Sequence, residues 1–430
     1  MTSLKISTPA GFDQFGLGAP IERAIRDVGF ETPRAIQAET IPAALAGRDV
    51  LGLAQTGTGK TAAFALPILE RLLEPHQPGD PRALILAPTR ELAQQIDTEL
   101  RRLASFTRIR TATIYGGVAI RTQIAALRRR PEIIVGCPGR VLDLISQRAL
   151  RLAQVEVLVL DEADHMFDLG FLPDLRRILA ALPRRRQNLL FSATMPRAIR
   201  QLADEVLNNP HVVELASAAP AETIDHALYA VPEHAKRDLL ERILAEEGCK
   251  SAIVFTRTKH RARRLAEQLE KNGHRTIALQ GNMSQSQRDR AMQGFRSRRY
   301  DVLVATDIAA RGLDVRSVSH VINFDVPTTP VAYTHRIGRT GRAEREGVAR
   351  TFVTGEDRTW LRDTERMLGA AIPRLQIQGV ASESIDSPTG PVRTSHHKRG
   401  PAGRSGGPRA HASRGRRGRR GAASGNRDSR

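Results

Sequence analysis

Short apolar runs recur along most of this chain, each followed by a polar or glycine-rich turn and then a stretch with helical periodicity. In the first half the runs Val50–Leu53, Ala83–Ala87, Ala112–Tyr115, Ile133–Val135, Val157–Leu160 and Leu189–Phe191 predict strands. The alternation pauses over Val213–Ile224, where Ser217–Ala221 is a run of small residues with one proline. A second series follows, with strands expected at Ala252–Phe255, Thr276–Leu279, Val302–Ala305, Val321–Phe324 and Ala349–Val353. Strands alternating with helices make an α/β fold with mostly parallel sheets flanked by helices. The expected organisation is a first unit over 10–216, a linker over 217–223, a second similar unit over 224–376 and a tail over 377–430. In open parallel sheets ligands bind at the carboxyl ends of strands, and the sharpest polar motifs of this chain follow those ends.

Length and composition agree with two domains: 430 residues, 40% of them hydrophobic. No run of about 18 apolar residues occurs, so no membrane span is expected. The start, Met1-Thr2-Ser3-Leu4-Lys5, lacks a signal-peptide core. The two cysteines, Cys137 and Cys249, offer neither a disulfide framework nor metal-ligand spacing, which fits a reducing cytoplasm.

Charge changes the picture more. The formal net charge is +20, and all but seven of the 66 basic residues are Arg. A genome rich in G and C inflates Arg and Ala together, but it does not explain the net charge. That charge calls for a polyanionic partner, and Arg forks onto phosphate and stacks on bases. From Pro391 to Arg430 there are twelve Lys or Arg and one acid, Asp428, among Gly, Ser, Ala, Pro and His. Such a segment cannot bury enough apolar surface to fold, so a disordered basic tail is expected. Its Arg-Gly clusters, as in Arg414–Gly421, suit weak, salt-sensitive contact with nucleic acid.

The chemistry concentrates in two places. Ala54-Gln55-Thr56-Gly57-Thr58-Gly59-Lys60-Thr61 follows the first strand and opens a helix. Its backbone N–H groups can cradle phosphates, with Lys60 reaching the β/γ phosphates and the Thr61 hydroxyl on magnesium. The strict pattern begins with Gly, and Ala54 stands there. Asp161-Glu162-Ala163-Asp164 closes the strand Val157–Leu160. There Asp161 can hold magnesium through water, and Glu162 can orient and deprotonate the attacking water. Transition-state charge on the γ-phosphate also needs a cation. His335-Arg336-Ile337-Gly338-Arg339-Thr340-Gly341-Arg342 of the second unit can supply Arg339 and Arg342, which lie three apart and share a face if the segment is helical.

These blocks, in this order and over roughly Phe12 to Val353, resemble the DEAD-box family of ATP-dependent RNA helicases. The resemblance implies two tandem RecA-like domains, with ATP and Mg2+ as cofactors and RNA as partner. It implies that Gln37, in Gly29-Phe30-Glu31-Thr32-Pro33-Arg34-Ala35-Ile36-Gln37, reads adenine while Phe12 stacks on it. Arg34 stands where the family has Ser or Thr. It implies RNA contacts from Pro88, Thr89 and Arg90, from Gly117 in the Gly116-Gly117 pair, and from Arg140, with Cys137 replacing the usual Thr of that block. On the second unit it implies RNA contacts from Thr256, Gly281, Arg288 and Thr306, with Asp314 at the ribose. Ser192 and Thr194 are implied to link hydrolysis to strand separation, and Asp164 and His335 to join the domains when ATP is bound.

The expected activity is therefore RNA-stimulated ATP hydrolysis coupled to melting of short duplexes or remodelling of RNA–protein complexes. An ATP-gated RNA clamp or assembly scaffold uses the same residues and stays open. A DNA translocase is opposed by the acidic quartet and the Pro88–Leu92 block. A metabolic kinase leaves the Arg blocks and the tail unexplained. The compact core looks bacterial and similar to the RhlE-like subgroup. The expected state is a cytoplasmic monomer, with ribosomal or degradation-machinery proteins as further partners.

Overall fold

The computed structural model describes residues 11–54, 57–74, 76, 79–215, 224–307, 318–341, 346–377 and 379–382. Gln55, Thr56, Asp314 and Arg342 lie outside the described residues, as do the expected linker 217–223 and the tail from residue 383 onward. Among the described residues no helix is long and apolar enough to cross a membrane.

Among the described residues fourteen strands form two seven-stranded sheets. The first sheet holds β1 (Val50–Leu53), β2 (Ala83–Leu86), β3 (Thr111–Ile114), β4 (Ile133–Gly136), β5 (Val157–Leu160), β6 (Gln187–Ser192) and β7 (His211–Glu214). The second holds β8 (Ile224–Ala230), β9 (Ala252–Thr256), β10 (Thr276–Leu279), β11 (Val302–Thr306), β12 (His320–Asn323), β13 (Gly347–Val353) and β14 (Arg374–Leu375). The order is β3-β4-β2-β5-β6-β1-β7 in the first and β10-β11-β9-β12-β13-β8-β14 in the second. Subtracting seven from each label of the second sheet reproduces the first, so one winding is built twice. Neighbouring strands pair in parallel throughout, for example Val50 beside Leu189 and Val302 beside Ala252.

The strands are apolar on both faces because helices cover both faces. In the first sheet Ile85, Val135 and Val159 point into one core, while Leu84, Ile134 and Leu158 point into the other. The second sheet repeats this, with Ile253 and Leu303 on one side and Val254 and Val304 on the other.

All eleven expected strands are present, within one or two residues of their expected bounds. Three further strands were not expected. Two of them, β7 and β8, border the stretch read as a pause: β7 ends at Glu214 and β8 starts at Ile224. In β7 only Val213 is buried, because an edge strand has one neighbour and one covered face. The strand β8 carries Asp225 and His226 within it, which breaks its apolar run. The third, β14, is a two-residue exposed edge. The expected boundary at Gln376 also falls short: Ile377 and Val380 pack against the core that contains Tyr229 and Leu240.

Asp49 ties the amino-terminal end of the first sheet together. Its carboxylate accepts from Asn188 N at 2.7 Å, Asn188 Nδ2 at 3.2 Å and Asn208 N at 2.8 Å, so one buried group holds β1, β6 and the approach to β7. Asp49→Ala leaves these donors without a partner. It should lower unfolding free energy by about 3 kcal/mol, read from chemical denaturation.

Candidate ATP site and RNA-facing edge

Parallel strands bring their carboxyl ends to one edge, and strand order decides which loops meet there. In the first sheet β6 lies between β1 and β5. The phosphate loop after β1 and the acidic block after β5 therefore flank Ser192 and Thr194 at the end of β6. Ala54 N donates to Ser192 O at 3.0 Å, joining the loop to that strand end.

Gly59 opens the helix Lys60–Leu72 with φ +97°, in the left-handed region that glycine tolerates. A Cβ there would lie 2.6 Å from Gln37 Nε2. Gln37 donates to Gly59 O at 3.1 Å and accepts from Arg34 N at 2.8 Å. Arg34, the residue that departs from the family, donates Nη1 to Gly57 O at 2.7 Å. Gln37 and Arg34 therefore both brace the phosphate loop. Phe12 is buried and stacked on Phe30, with centroids 5.8 Å apart at 25°. Both rings line the same cleft as Gln37, Lys60, Thr61, Asp161 and Glu162, a space of about 1190 Å³. Met292 and Arg296 of the helix Gln285–Arg296 close it from the second unit.

Lys60 is buried. Its Nζ donates to Ala54 O at 3.0 Å and lies 3.9 Å from Asp161 Oδ1. Burial pushes the Asp161 carboxyl up to about 6, against the pull of Lys60. Glu162 has φ 53° and ψ 54°, a left-handed backbone that costs a non-glycine residue roughly 1–2 kcal/mol. Its N donates to Asp161 Oδ1 at 3.0 Å, and its Oε2 bonds His165 Nδ1 at 3.2 Å. Burial alone would raise the Glu162 carboxyl. The hydrogen bond and charge of His165, with Lys60 and Arg339, hold it well below the usual range. Glu162 is thus kept ionised, and Arg339 acts on it from the second unit.

The acidic block is locked to the β6 loop. Asp164 Oδ2 accepts from Thr194 N at 2.9 Å and Thr194 Oγ1 at 2.8 Å. Asp164 N donates to Ser192 Oγ at 3.2 Å, and Ser192 Oγ donates to Thr194 O at 2.7 Å. His335 lies on the helix Pro330–Ile337 of the second unit.

The donor chemistry fits a hard divalent cation. The Thr61 hydroxyl and the Asp161 carboxylate line one cleft, two protein oxygens of the kind magnesium uses when phosphates supply the rest. Glu99, half-buried in the same cleft, hydrogen-bonds the Thr61 side chain, and burial pushes its carboxyl up to about 7.

The other half of the first sheet, β3-β4-β2, gathers the expected RNA blocks. Thr89 caps the helix Arg90–Leu103 by accepting from Leu92 N. Gly117, at φ +78°, lies under the Arg90 guanidinium, and a Cβ there would meet Arg90 Nη1 at 2.1 Å. Arg140 donates to Val118 O at 3.2 Å. Cys137 begins the helix Pro138–Ser146 without a side-chain cap, and burial pushes its thiol up to about 12, so it stays neutral. In the second sheet Thr306 and Thr256 end the adjacent strands β11 and β9, and Gly281 follows β10. Pro88 and Thr256 are buried. Gly281 is exposed.

Arg90 and Arg288 are engaged between the two units. Arg90 Nη1 donates to Gln285 Oε1 at 3.2 Å, and Arg288 binds Glu91 Oε1 through Nε at 2.8 Å and Nη2 at 2.5 Å. Sequence reasoning missed Glu91 and Gln285 as the partners. It also missed His165, although a histidine three residues after Glu162 was a readable signal. A second omission is Arg336. This buried side chain grips Asp307 through Nε at 2.5 Å and Nη2 at 2.6 Å, donates to Asn323 Oδ1 and Asp325 O, and lies 4.8 Å over the Phe255 ring. It anchors the helix that leads to Arg339 against the strand end that carries Thr306.

Two tandem parallel α/β units with a phosphate loop, an acidic strand end and an arginine from the second unit define a nucleotide hydrolase of the two-domain, motor-like class. Residues 34–202 match the DEAD/DEAH box helicase family, and 235–344 match the helicase conserved C-terminal domain. The chain is 45% identical to the DEAD-box ATP-dependent RNA helicase CshA of Geobacillus kaustophilus over 366 residues, 85% of this chain and 78% of that protein. It is 44% identical to the ATP-dependent RNA helicase CshA of Listeria monocytogenes, over 85% of this chain and 70% of that one. Its fold is similar to S. cerevisiae Dbp5 bound to RNA and ADP BeF3, with TM-score 0.77 and 34% identity, covering 85% of this chain and 95% of that one. It is also similar to Mss116p bound to single-stranded RNA and AMP-PNP, with TM-score 0.78 and 27% identity, covering 86% and 80%. The chain belongs to the DEAD-box ATP-dependent RNA helicases, and its sheets are the tandem RecA-like domains of that family.

The raised Asp161 carboxyl has a consequence for pH. Its folded value of about 6 lies above its ordinary 3.8, so the folded state holds the proton more tightly between those values. Its contribution to stability is greatest below 3.8 and falls as pH rises through about 6. The nucleotide-free Asp161→Asn protein should lack this step. The difference in melting temperature between the variant and the wild type should therefore grow in the variant's favour as pH rises from 4 to 7.

Proposed function

We propose that this protein uses ATP hydrolysis and the meeting of its two units to separate short RNA duplexes or to remodel RNA–protein complexes. One observation carries the reading. The ATP cleft and the RNA-facing edge each contain groups from both units: Arg339 acts on Glu162, and Arg288 binds Glu91. A change in one site is thereby coupled to the other through a shared interface.

The described residues take their roles from position, and 55–56, Asp314 and Arg342 take theirs from the family. Gln37 reads the adenine edge while Phe12, with Phe30 behind it, supports the base. The N–H groups of 55–59 cradle the phosphates and Lys60 reaches the β/γ oxygens. Thr61 and Asp161 hold magnesium, whose chemistry when bound is to neutralise phosphate charge. Glu162, ionised and aimed by its left-handed backbone, takes the proton of the attacking water. Arg339, with Arg342, stabilises charge developing on the γ-phosphate. Asp314 meets the ribose. The bonds from Asp164 to Thr194 pass changes at the phosphates to the β6 loop, and His335 joins Asp164 when ATP is bound. Along the edge, Thr89, Arg90, Gly117, Arg140, Gly281, Arg288 and Thr306 hold one RNA strand through phosphates and 2′-hydroxyls, bent so that it no longer pairs. RNA in the cytoplasm, bound by a monomer with ribosomal or degradation-machinery proteins nearby, is the setting this reading favours.

The first test is ATPase rate at fixed salt without nucleic acid, with single-stranded RNA, and with DNA of equal sequence and length. RNA should stimulate strongly and DNA weakly. Equal stimulation by DNA would overturn the assignment of RNA as substrate.

Glu162→Gln should abolish turnover while RNA binding that depends on ATP is kept, measured by fluorescence anisotropy. Turnover at the wild-type rate would remove Glu162 as the base.

A further inference from the structure

A second cavity lies on the second unit, away from the ATP cleft. It occupies about 1000 Å³ between the helices Lys259–Lys271 and Gln285–Arg296, over the edge strand β10. Four cationic side chains line it, Lys259 and Arg263 on one wall and Arg290 and Arg299 on the other, and no carboxylate does. All four are exposed. Lys259 donates to Asn282 Oδ1 and Arg290 to Ser286 O, neutral acceptors that leave both charges uncompensated by these bonds. Arg263 pairs with Glu267 one turn along its own helix, an exposed pair of small worth.

The floor is apolar and aromatic, made by Ile277, Met283 and Tyr300. Tyr300 lies so close to the helix Gln285–Arg296 that a Cβ on Gly294 would fall 2.5 Å from its ring. The Arg299 guanidinium lies 5.7 Å from the ring centroid. A ring beside several arginines in a groove is the arrangement that takes a base on the aromatic face and phosphates on the rim.

The groove is continuous with the RNA-facing edge. Gln280 and Asn282 line it and flank Gly281, and Lys259 follows Thr256 by three residues. The basic tail of this chain has the same sign of charge and is not its occupant: 391–430 holds twelve Lys or Arg against one acid.

We propose that this groove binds single-stranded RNA that extends beyond the stretch held by the motif residues. The proposal rests on the RNA-helicase reading above and adds a second segment of track to it. A strand leaving Gly281 enters between Lys259 and Arg290, and a flanking base reaches Tyr300.

The test compares the full-length wild type with Arg263→Gln/Arg290→Gln/Arg299→Gln. Both are titrated by fluorescence anisotropy, with a non-hydrolysable ATP analogue, against a short single-stranded RNA and one extended at both ends, over a range of salt. The variant should bind the short RNA like the wild type and lose the wild type's extra affinity for the long one. Its salt slope on long RNA should be shallower by roughly 2, about 0.7 for each of the lost phosphate contacts. RNA-stimulated ATPase at saturating RNA should be unchanged. Equal affinity of both proteins for the long RNA would overturn the proposal. So would competition by an acidic peptide for a surface on which RNA length makes no difference, since the groove would then be a polypeptide site. Wild type that binds neither RNA would overturn the helicase reading itself. If the triple variant does not fold, the single exposed change Arg290→Gln carries the same comparison, with a slope change of about 0.7.

Discussion

Every functional contact here depends on one constraint: a parallel sheet delivers all its strand ends to a single edge, and strand order alone decides which loops become neighbours. The order β3-β4-β2-β5-β6-β1-β7 divides that edge in two. The ends of β5, β6 and β1 carry Asp161, Ser192 and the phosphate loop. The ends of β3, β4 and β2 carry Gly117, Cys137 and Arg90. The proposed phosphate chemistry and the proposed RNA contacts therefore share a sheet without sharing loops. The strands β2 and β5 are hydrogen-bonded neighbours, Leu86 beside Leu160, so the two halves are one rigid layer.

The second sheet repeats the order but uses its edge differently. Its β10, β11 and β9 ends continue the RNA side, while the helix after β12 brings Arg336 and Arg339 toward the first unit. Arg336 is the pivot of that use. It is buried with a carboxylate, a side-chain amide and a carbonyl around it, so its charge is satisfied from within the second unit. Arg339, three residues on, is also buried, and its charge acts on Glu162. Removal of Arg336 would leave Asp307 without its bidentate partner beside Thr306, disturbing an RNA-facing strand end from the position of an ATP-side helix. The same pair thus links the packing of the helix before Arg339 to the strand end that carries Thr306.

How much of this was legible in the sequence follows from what the sequence encodes locally. Strands covered on both faces are continuous apolar runs, so β2, β5 and β9 were readable at once. The strand β7 was not, because a one-sided edge strand of four residues buries a single valine. Nor was β8, because Asp225 and His226 interrupt it although Ile224 and Leu228 pack inward. Motif residues that act through backbone or through fixed spacing, such as Gly59, Lys60 and Asp161, were legible from spacing alone. Pairings between units were not. Nothing local says that Glu91 meets Arg288, 197 positions away. The roles given to Gln37 and Phe12 needed the resemblance, and the structure adds that both also have protein neighbours, Gly59 and Phe30.

The arginines of the RNA edge show why a residue can have two partners without contradiction. Arg90 packs on Gly117 and bonds Gln285, and Arg288 forks onto Glu91. Each arginine has five donors, more than these contacts use. The ion pair is only partly buried, with side-chain exposures of 12% and 15%, so a strand laid over it would further desolvate both charges and strengthen their attraction. RNA and the interface between units would then stabilise one another. By linkage, whatever brings the units together at the ATP cleft must raise affinity for RNA by the same factor that RNA raises affinity for the nucleotide. The charge of Arg339 acting on Glu162 is the other end of that exchange. Arg339 does less to hold the Glu162 carboxyl low than His165 and Lys60 do, so separation of the units would withdraw the cation while the base stays ionised.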